Sequence, residues 1–203
     1  MSPPLLPAGI RLAVAMIGIA LGACSTSPET RYYTLASAPA VNASQQQPAN
    51  APLWIEVGQV SVPERLNRPQ IVVGKQQDGE LTRLEFARWA SPLPDELRDA
   101  LAQQLQEKLD AIDLYRRGQT GTAGKPLYRI SIEVLSLEAA PERPADADIR
   151  WQIQRFPDGK LTTGRTRASL PASGKVESVV TAYRQIVATT SDDIAGAVRA
   201  MRP

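Results

Sequence analysis

The sequence predicts an α+β fold, a two-layer sandwich with two long helices on one face of a largely antiparallel sheet, in the order β-β-β-α-β-β-β-α. Three observations predict it. Leu93, Leu97, Leu101, Leu105, Leu109 and Ile112 recur every three to four residues, the period of a helix with one apolar face. Val176, Val179, Val180, Tyr183, Ile186, Val187, Ile194, Val198 and Met201 form a second such stripe. Elsewhere apolar and polar residues alternate in short runs bounded by Gly, Pro and Asp, the pattern of half-buried strands. Two one-sided helices and a one-sided sheet bury their apolar faces against each other in two layers.

The first 23 residues stand outside that fold. Leu12–Leu21 is an uncharged apolar run behind Arg11. As a helix it would rise only ~15 Å, too short for a ~30 Å hydrocarbon core. With Gly22 and Ala23 after it, the segment reads as a secretory signal peptide, residues 1–23. Cys24 follows directly and is the only cysteine in the chain. A lone thiol after Leu-Gly-Ala resembles a bacterial lipoprotein box, so Cys24 is expected to carry the lipid and become the mature N-terminus. Ser25 stands where an Asp would signal inner-membrane retention, so a lipid anchor on the periplasmic face of the outer membrane is expected.

Removing residues 1–23 leaves 180 residues, enough for one domain with a real core. The mature chain carries 22 Lys and Arg against 21 Asp and Glu, with the signs interspersed, so no long-range pull on nucleic acid is expected. The chain has no histidine, which removes the usual general base of nucleophile triads and the commonest metal ligand. No catalytic residues, metal or cofactor are therefore assigned. Glu142, Asp146 and Asp148 could be offered as a hydrolytic carboxylate set, but they read better as solvated charges in a loop.

The elements follow in order. Arg31–Leu35 (RYYTL) is aromatic and β-branched and reads as a brief edge strand. Ala36–Pro52, rich in Ala, Pro, Gln and Asn, cannot bury apolar surface and is expected to be a flexible tether, so residues 24–52 form a lipidated leader and 53–203 the folded domain. Leu53, Ile55 and Val57 share one face, and Val60 and Val62 take the other register, which predicts a bulge at Gly58-Gln59. Gln70–Lys75 and Glu80–Arg88 form a hairpin about Asp78-Gly79. Ser91 is expected to cap the first helix, with Pro92 as its first residue and Asp95 and Glu96 at the positive end of its dipole. Arg116–Pro126 is a loop. Its Gly124-Lys125 does not make a phosphate-binding loop, because Gln119 and Pro126 stand where Gly and Ser or Thr are required. Tyr128–Val134 is a strand and Ala139–Ala147 a loop. A strand through Ile149, Trp151 and Ile153 then pairs with Leu161–Leu170 across the turn at Pro157–Lys160. The second helix runs from about Lys175 to Met201.

Three segments together carry a family resemblance: Tyr32–Leu35 soon after Cys24, Val57–Val72 (VGQVSVPERLNRPQIV), and Glu85–Leu93 (EFARWASPL). The chain resembles the ABC-type transport auxiliary lipoproteins, a family that includes paraquat-inducible protein C. The resemblance implies a periplasmic subunit that partners an MCE-domain transport protein in moving lipids between membranes, anchored to the outer membrane, with energy supplied by a separate ATPase and permease. It implies no enzymatic residues. A structural outer-membrane assembly lipoprotein, unrelated to MCE transport, is the alternative, and the sequence leaves a homo-oligomer open. Arg68, Pro69, Gln70, Arg88 and Trp89 are the candidate partner-binding residues. Arg and Trp are enriched at interface hot spots. Equally, Trp89 can pack beneath the helix start and Arg68 can pair with Glu64 or Glu85.

Overall fold

A computed structural model describes residues 28–36, 53–75, 79–115, 126–140 and 143–202. Cys24 and its signal segment, residues 37–52, Asp78, Glu142 and residues 116–125 of the expected loop lie outside the described residues. The elements are β1 (Arg31–Tyr33), β2 (Leu53–Ser61), β3 (Gln70–Lys75), β4 (Glu80–Trp89), α1 (Leu93–Leu109), β5 (Ala111–Asp113), β6 (Leu127–Glu138), β7 (Ala145–Phe156), β8 (Leu161–Leu170) and α2 (Val176–Ala200).

The α+β class holds, with both helices on one face of a sheet. On β6, Tyr128, Ile130, Ile132 and Val134 are buried while Arg129, Ser131 and Glu133 are exposed. Helix α1 packs on β2 and β5, α2 on β7 and β8, and the helices on each other. Leu97, Leu101 and Leu105 of α1 join Val180, Ile186, Ile194 and Val198 of α2 in one core with Ile130, Ile149, Trp151 and Ile153. Truncating any one of these leucines to Ala would cost about 2–5 kcal/mol.

The sheet is more divided and more mixed than alternation alone implies. Five strands run in the order β5-β2-β6-β7-β8, and three form a second sheet, β1-β4-β3. The two sheets meet at a bridge between Gly74 and Ala139, where the Gly74 N–H donates to the Ala139 carbonyl at 2.6 Å. The expected hairpins, β3 with β4 and β7 with β8, are antiparallel. However, β2 lies parallel to both β5 and β6, and β1 parallel to β4. A chain that leaves β2, builds a hairpin and crosses over through α1 returns from the same end, so its next partners must be parallel. The bulge expected at Gly58-Gln59 is present as a register shift between Val57 and Val60.

Three local expectations are corrected. Helix α1 ends at Leu109, where Asp110 adopts φ 49° and ψ 52°, a left-handed cap that Asp tolerates better than most residues. Ile112 therefore belongs to β5 and not to the helical stripe. The helix starts at Leu93 with Pro92 as its cap residue, and Ser91 makes no capping bond to the helix backbone. Strand β7 begins at Ala145, so Asp146 and Asp148 sit on a strand and not in a loop. Strand β1 lies at the edge of its sheet, as expected, hydrogen-bonded to β4. The stretch expected to be a tether falls almost wholly outside the described residues.

Candidate functional site

The candidate residues come from two segments that the fold brings together. After Pro63 the chain makes consecutive tight turns, with Leu66 N–H donating to the Pro63 carbonyl at 2.9 Å and Asn67 N–H to that of Glu64 at 3.2 Å. Leu66 is buried, so the loop is pinned from beneath. Trp89 N–H donates to the Pro69 carbonyl at 2.8 Å, and Gln70 pairs with Arg88 at the end of the β3–β4 ladder. Arg68, Pro69, Gln70, Arg88 and Trp89 therefore share one corner. Arg68 and Pro69 are exposed, and Gln70 and Arg88 half-exposed. Arg68 pairs with Glu64 at 3.1 Å, on the surface, where such a pair contributes little. A hollow of about 240 Å³ lies among Arg68, Pro69, Trp89, Ser91 and Pro92. A second of about 300 Å³ lies on the other side of Asn67, toward the β2 bulge.

Trp89 is the floor of this corner, only 5 % exposed. Its ring stacks on Tyr183 of α2, with centroids 6.3 Å apart and planes 24° apart. The Tyr183 hydroxyl is buried without a hydrogen-bond partner, and burial, with the charge of Glu138 adding to it, pushes its pKa up. Trp89 thus serves the corner by holding it against α2 and not by presenting its ring.

The residue that locks the corner is Glu96, whose place in the sequence marks it only as a carboxylate complementing the helix dipole. It is 4 % exposed. One carboxylate oxygen accepts from the Ser91 N–H at 3.1 Å and the Ser91 hydroxyl at 2.5 Å. The other accepts from the Thr34 hydroxyl at 2.7 Å and the Leu35 N–H at 2.8 Å. One side chain therefore ties the end of β1, the 89–92 corner and the start of α1 together. Ala90 N–H donates to the Tyr33 carbonyl at 2.8 Å, and Arg184 of α2 reaches the Thr34 carbonyl at 2.7 Å. The Ser91-to-Glu96 spacing and the polar Thr34 were visible in the sequence, but nothing local linked residue 34 to residue 96.

A second buried polar group braces α1 on the β2 bulge. Arg98 forms an ion pair with Asp113 of β5, both side chains 7 % exposed, and donates to the Val57 carbonyl at 3.2 Å. Asp113 in turn accepts from the Val57 N–H at 3.1 Å. Both backbone groups of Val57 at the bulge are thereby satisfied.

Of the three carboxylates open to a hydrolytic reading, the two described ones, Asp146 and Asp148, are bound to cations. Asp146 pairs with the buried Lys75 and accepts from Ser169. Burial works to raise its pKa, yet these hydrogen bonds bring it below the ordinary range. Asp148 is held low chiefly by the Arg165 guanidinium, with Arg167 also at hand. Among the described residues no cluster could hold a metal ion, and no helix is long and apolar enough to cross a membrane.

Comparison with solved structures shows the fold elsewhere. A crystal structure of an uncharacterized protein is 20 % identical, with a TM-score of 0.64 over 84 % of this chain and 99 % of that one. A protein from Xanthomonas campestris, assigned to a family of unknown function, is 18 % identical, with a TM-score of 0.57 over 73 % of this chain and 84 % of that one. At these identities the likeness is one of fold. No curated protein matches. The family model described as "ABC-type transport auxiliary lipoprotein component" matches residues 33–195, which run from the last residue of β1 through the 63–69 loop, the Trp89 corner and Glu96 to most of α2. That description is of a membrane-anchored periplasmic lipoprotein that assists a transporter, which is not an enzyme class. With the match running through nearly every described element, the chain belongs to the family of ABC-type transport auxiliary lipoprotein components.

Proposed function

We propose that this chain is the lipid-anchored periplasmic subunit of an MCE/ABC-type system that moves lipids between the two membranes. In this reading Cys24 carries the acyl chains and fixes the protein to the outer membrane. The corner of Arg68, Pro69, Gln70 and Arg88, laid over Trp89, docks an MCE-domain protein. The observation that carries the reading is the corner itself. It is a turn-built, exposed cation-bearing loop held by the Trp89–Tyr183 stack and the Glu96 hydrogen bonds. Binding groups are commonly displayed in this way, on loops positioned by a rigid scaffold. Near-neutral overall charge favours local anchoring over long-range steering.

The test is co-purification of the MCE-domain protein with wild-type chain and with Arg68→Ala, alongside thermal melts. Arg68→Ala is expected to melt like wild type and lose partner, because its ion pair with Glu64 is an exposed one. Full retention of partner by Arg68→Ala would place the interface elsewhere. Cys24→Ala is expected to accumulate as precursor or shed into the soluble periplasm, and fractionation of the wild type with the inner membrane would contradict outer-membrane anchoring.

A further inference from the structure

The path of the chain out of the domain limits where the membrane can be. Pro28 and Glu29 lie against β4, lining a hollow of about 580 Å³ with Arg31, Tyr33, Leu84, Phe86 and Val176. Three residues separate Cys24 from Pro28, so the attachment point of any thiol-borne lipid lies within about 14 Å of Pro28 by covalent reach alone. At its rim and on the adjoining outer face of the sheet, apolar side chains point outward. Phe86 is 49 % exposed and Tyr32 66 % exposed. Tyr32 faces the same side of the sheet as its register partner Arg88. The charges around the hollow nearly balance, with Arg31 paired to Glu177 at 3.2 Å and Lys175 and Glu85 nearby. Aromatic rings beside neutralised charge suit the headgroup layer of a bilayer, and a stable membrane attachment takes more than one signal.

We infer that this face, with Tyr32 and Phe86 outward, rests on the surface of the phospholipid bilayer that holds the anchor. The inference depends on Cys24 being the lipid attachment site.

The test uses the acylated full-length product reconstituted in phosphatidylethanolamine–phosphatidylglycerol vesicles whose lipids carry bromine high on the acyl chains. Bromine quenches tryptophan at short range. Two variants are compared, each after subtraction of the wild-type signal: Phe86→Trp and Leu161→Trp. Leu161 is 54 % exposed and pairs with Gln154, beside Arg155, whose guanidinium reaches the Met201 carbonyl at the far end of α2 from the hollow. A 25-residue helix is about 37 Å long, which separates the two probes. The Phe86→Trp signal is expected to be quenched at least roughly two-fold more than the Leu161→Trp signal, as an interfacial ring would be. Equal quenching overturns the inference. So does a blue-shifted Phe86→Trp emission insensitive to bromine, which would mean that a second copy or another protein covers the face. Mass spectrometry of the same sample reads acylation of Cys24 separately. An unmodified Cys24 refutes the anchor and this face with it, whereas acylation with equal quenching refutes the face alone.

Discussion

Replacing Glu96 by glutamine keeps the size of the side chain and removes one of its two acceptor atoms. In the native protein each oxygen accepts two hydrogen bonds, one from a hydroxyl and one from a backbone N–H. The new amide nitrogen would face either the Thr34–Leu35 pair or the Ser91 pair. A hydroxyl can turn and accept from it, but a backbone N–H cannot. One buried N–H is thus stranded whichever way the amide is placed. Loss of a hydrogen bond to a charged acceptor costs about 1.5–3 kcal/mol, and a stranded donor about 1–3 kcal/mol, so Glu96→Gln should lose about 2–4 kcal/mol. For a chain of this size each kcal/mol moves Tm by roughly 2–4 °C, which places the expected drop at about 5–15 °C. Thr34→Val, which removes only a hydroxyl donor, should lose about 1 kcal/mol. The assay is a thermal melt followed by circular dichroism, with hydrogen exchange read at Leu35 and Ser91. Faster exchange at only one of the two amides would identify the orientation the glutamine chooses. A Glu96→Gln melt within about 1 °C of wild type, with both amides exchanging as before, would refute the reasoning that this carboxylate holds the corner.

Other perturbations test other parts of the fold. Gly164 of β8 lies under the Trp151 ring, and a Cβ there would stand 2.0 Å from Trp151 Cζ2, so Gly164→Ala should destabilise by at least about 1–3 kcal/mol in urea unfolding; a neutral result would show that the ring yields freely. Asp113→Asn should lose about 1–3 kcal/mol, because it removes one of the two carboxylates paired with the buried Arg98 guanidinium, Asp99 remaining at 2.9 Å. Asp148 has a folded pKa below its ordinary value, so its contribution is fully present above that value and is lost as pH falls through the lowered one. Acid titration of Asp148→Asn should accordingly show a shallower loss of stability than wild type, and superimposable acid limbs would remove Arg165 as the cause.

Much of the fold is legible in the chain because it is local. The stripe Leu93–Leu109, the alternation on β6 and β7, the Gly79 turn at φ 74° and the bulge near Gly58 are all set by near neighbours in sequence. What escapes reading is decided by residues far apart. The parallel pairing of β1 with β4 brings together residues more than fifty positions apart, and neither strand's alternation encodes direction. Ile112 continues the leucine period by one more step, so only the αL turn at Asp110, an acidic residue and not the usual glycine, separates helix from β5. At the candidate site, residue types and the meeting of the two segments could be foreseen. That Trp89 faces inward onto Tyr183, and that Glu96 is a buried acceptor of four hydrogen bonds, follow only once α2 and β1 are in place.

The parallel seam between β1 and β4 also determines how the protein bears load. On the function proposed above, load would enter at two points: at the N-terminus from the anchor and at the corner from the partner. An N-terminal pull would reach the sheet at Arg31, and a pull on the corner beyond Trp89, at the other end of the same pair of strands. Force applied at opposite ends of paired strands runs along them and loads the cross-strand hydrogen bonds in shear. All of them must then fail together, instead of opening one at a time as in a hairpin peeled from its tip. The bonds that Ala90 donates to Tyr33, that Arg184 donates to Thr34, and that Thr34 and Leu35 donate to Glu96 lie at the distal end of the seam, and so extend the same shear contact. A strand of three residues, weak if peeled, becomes a firm link along the one axis on which this protein would be pulled.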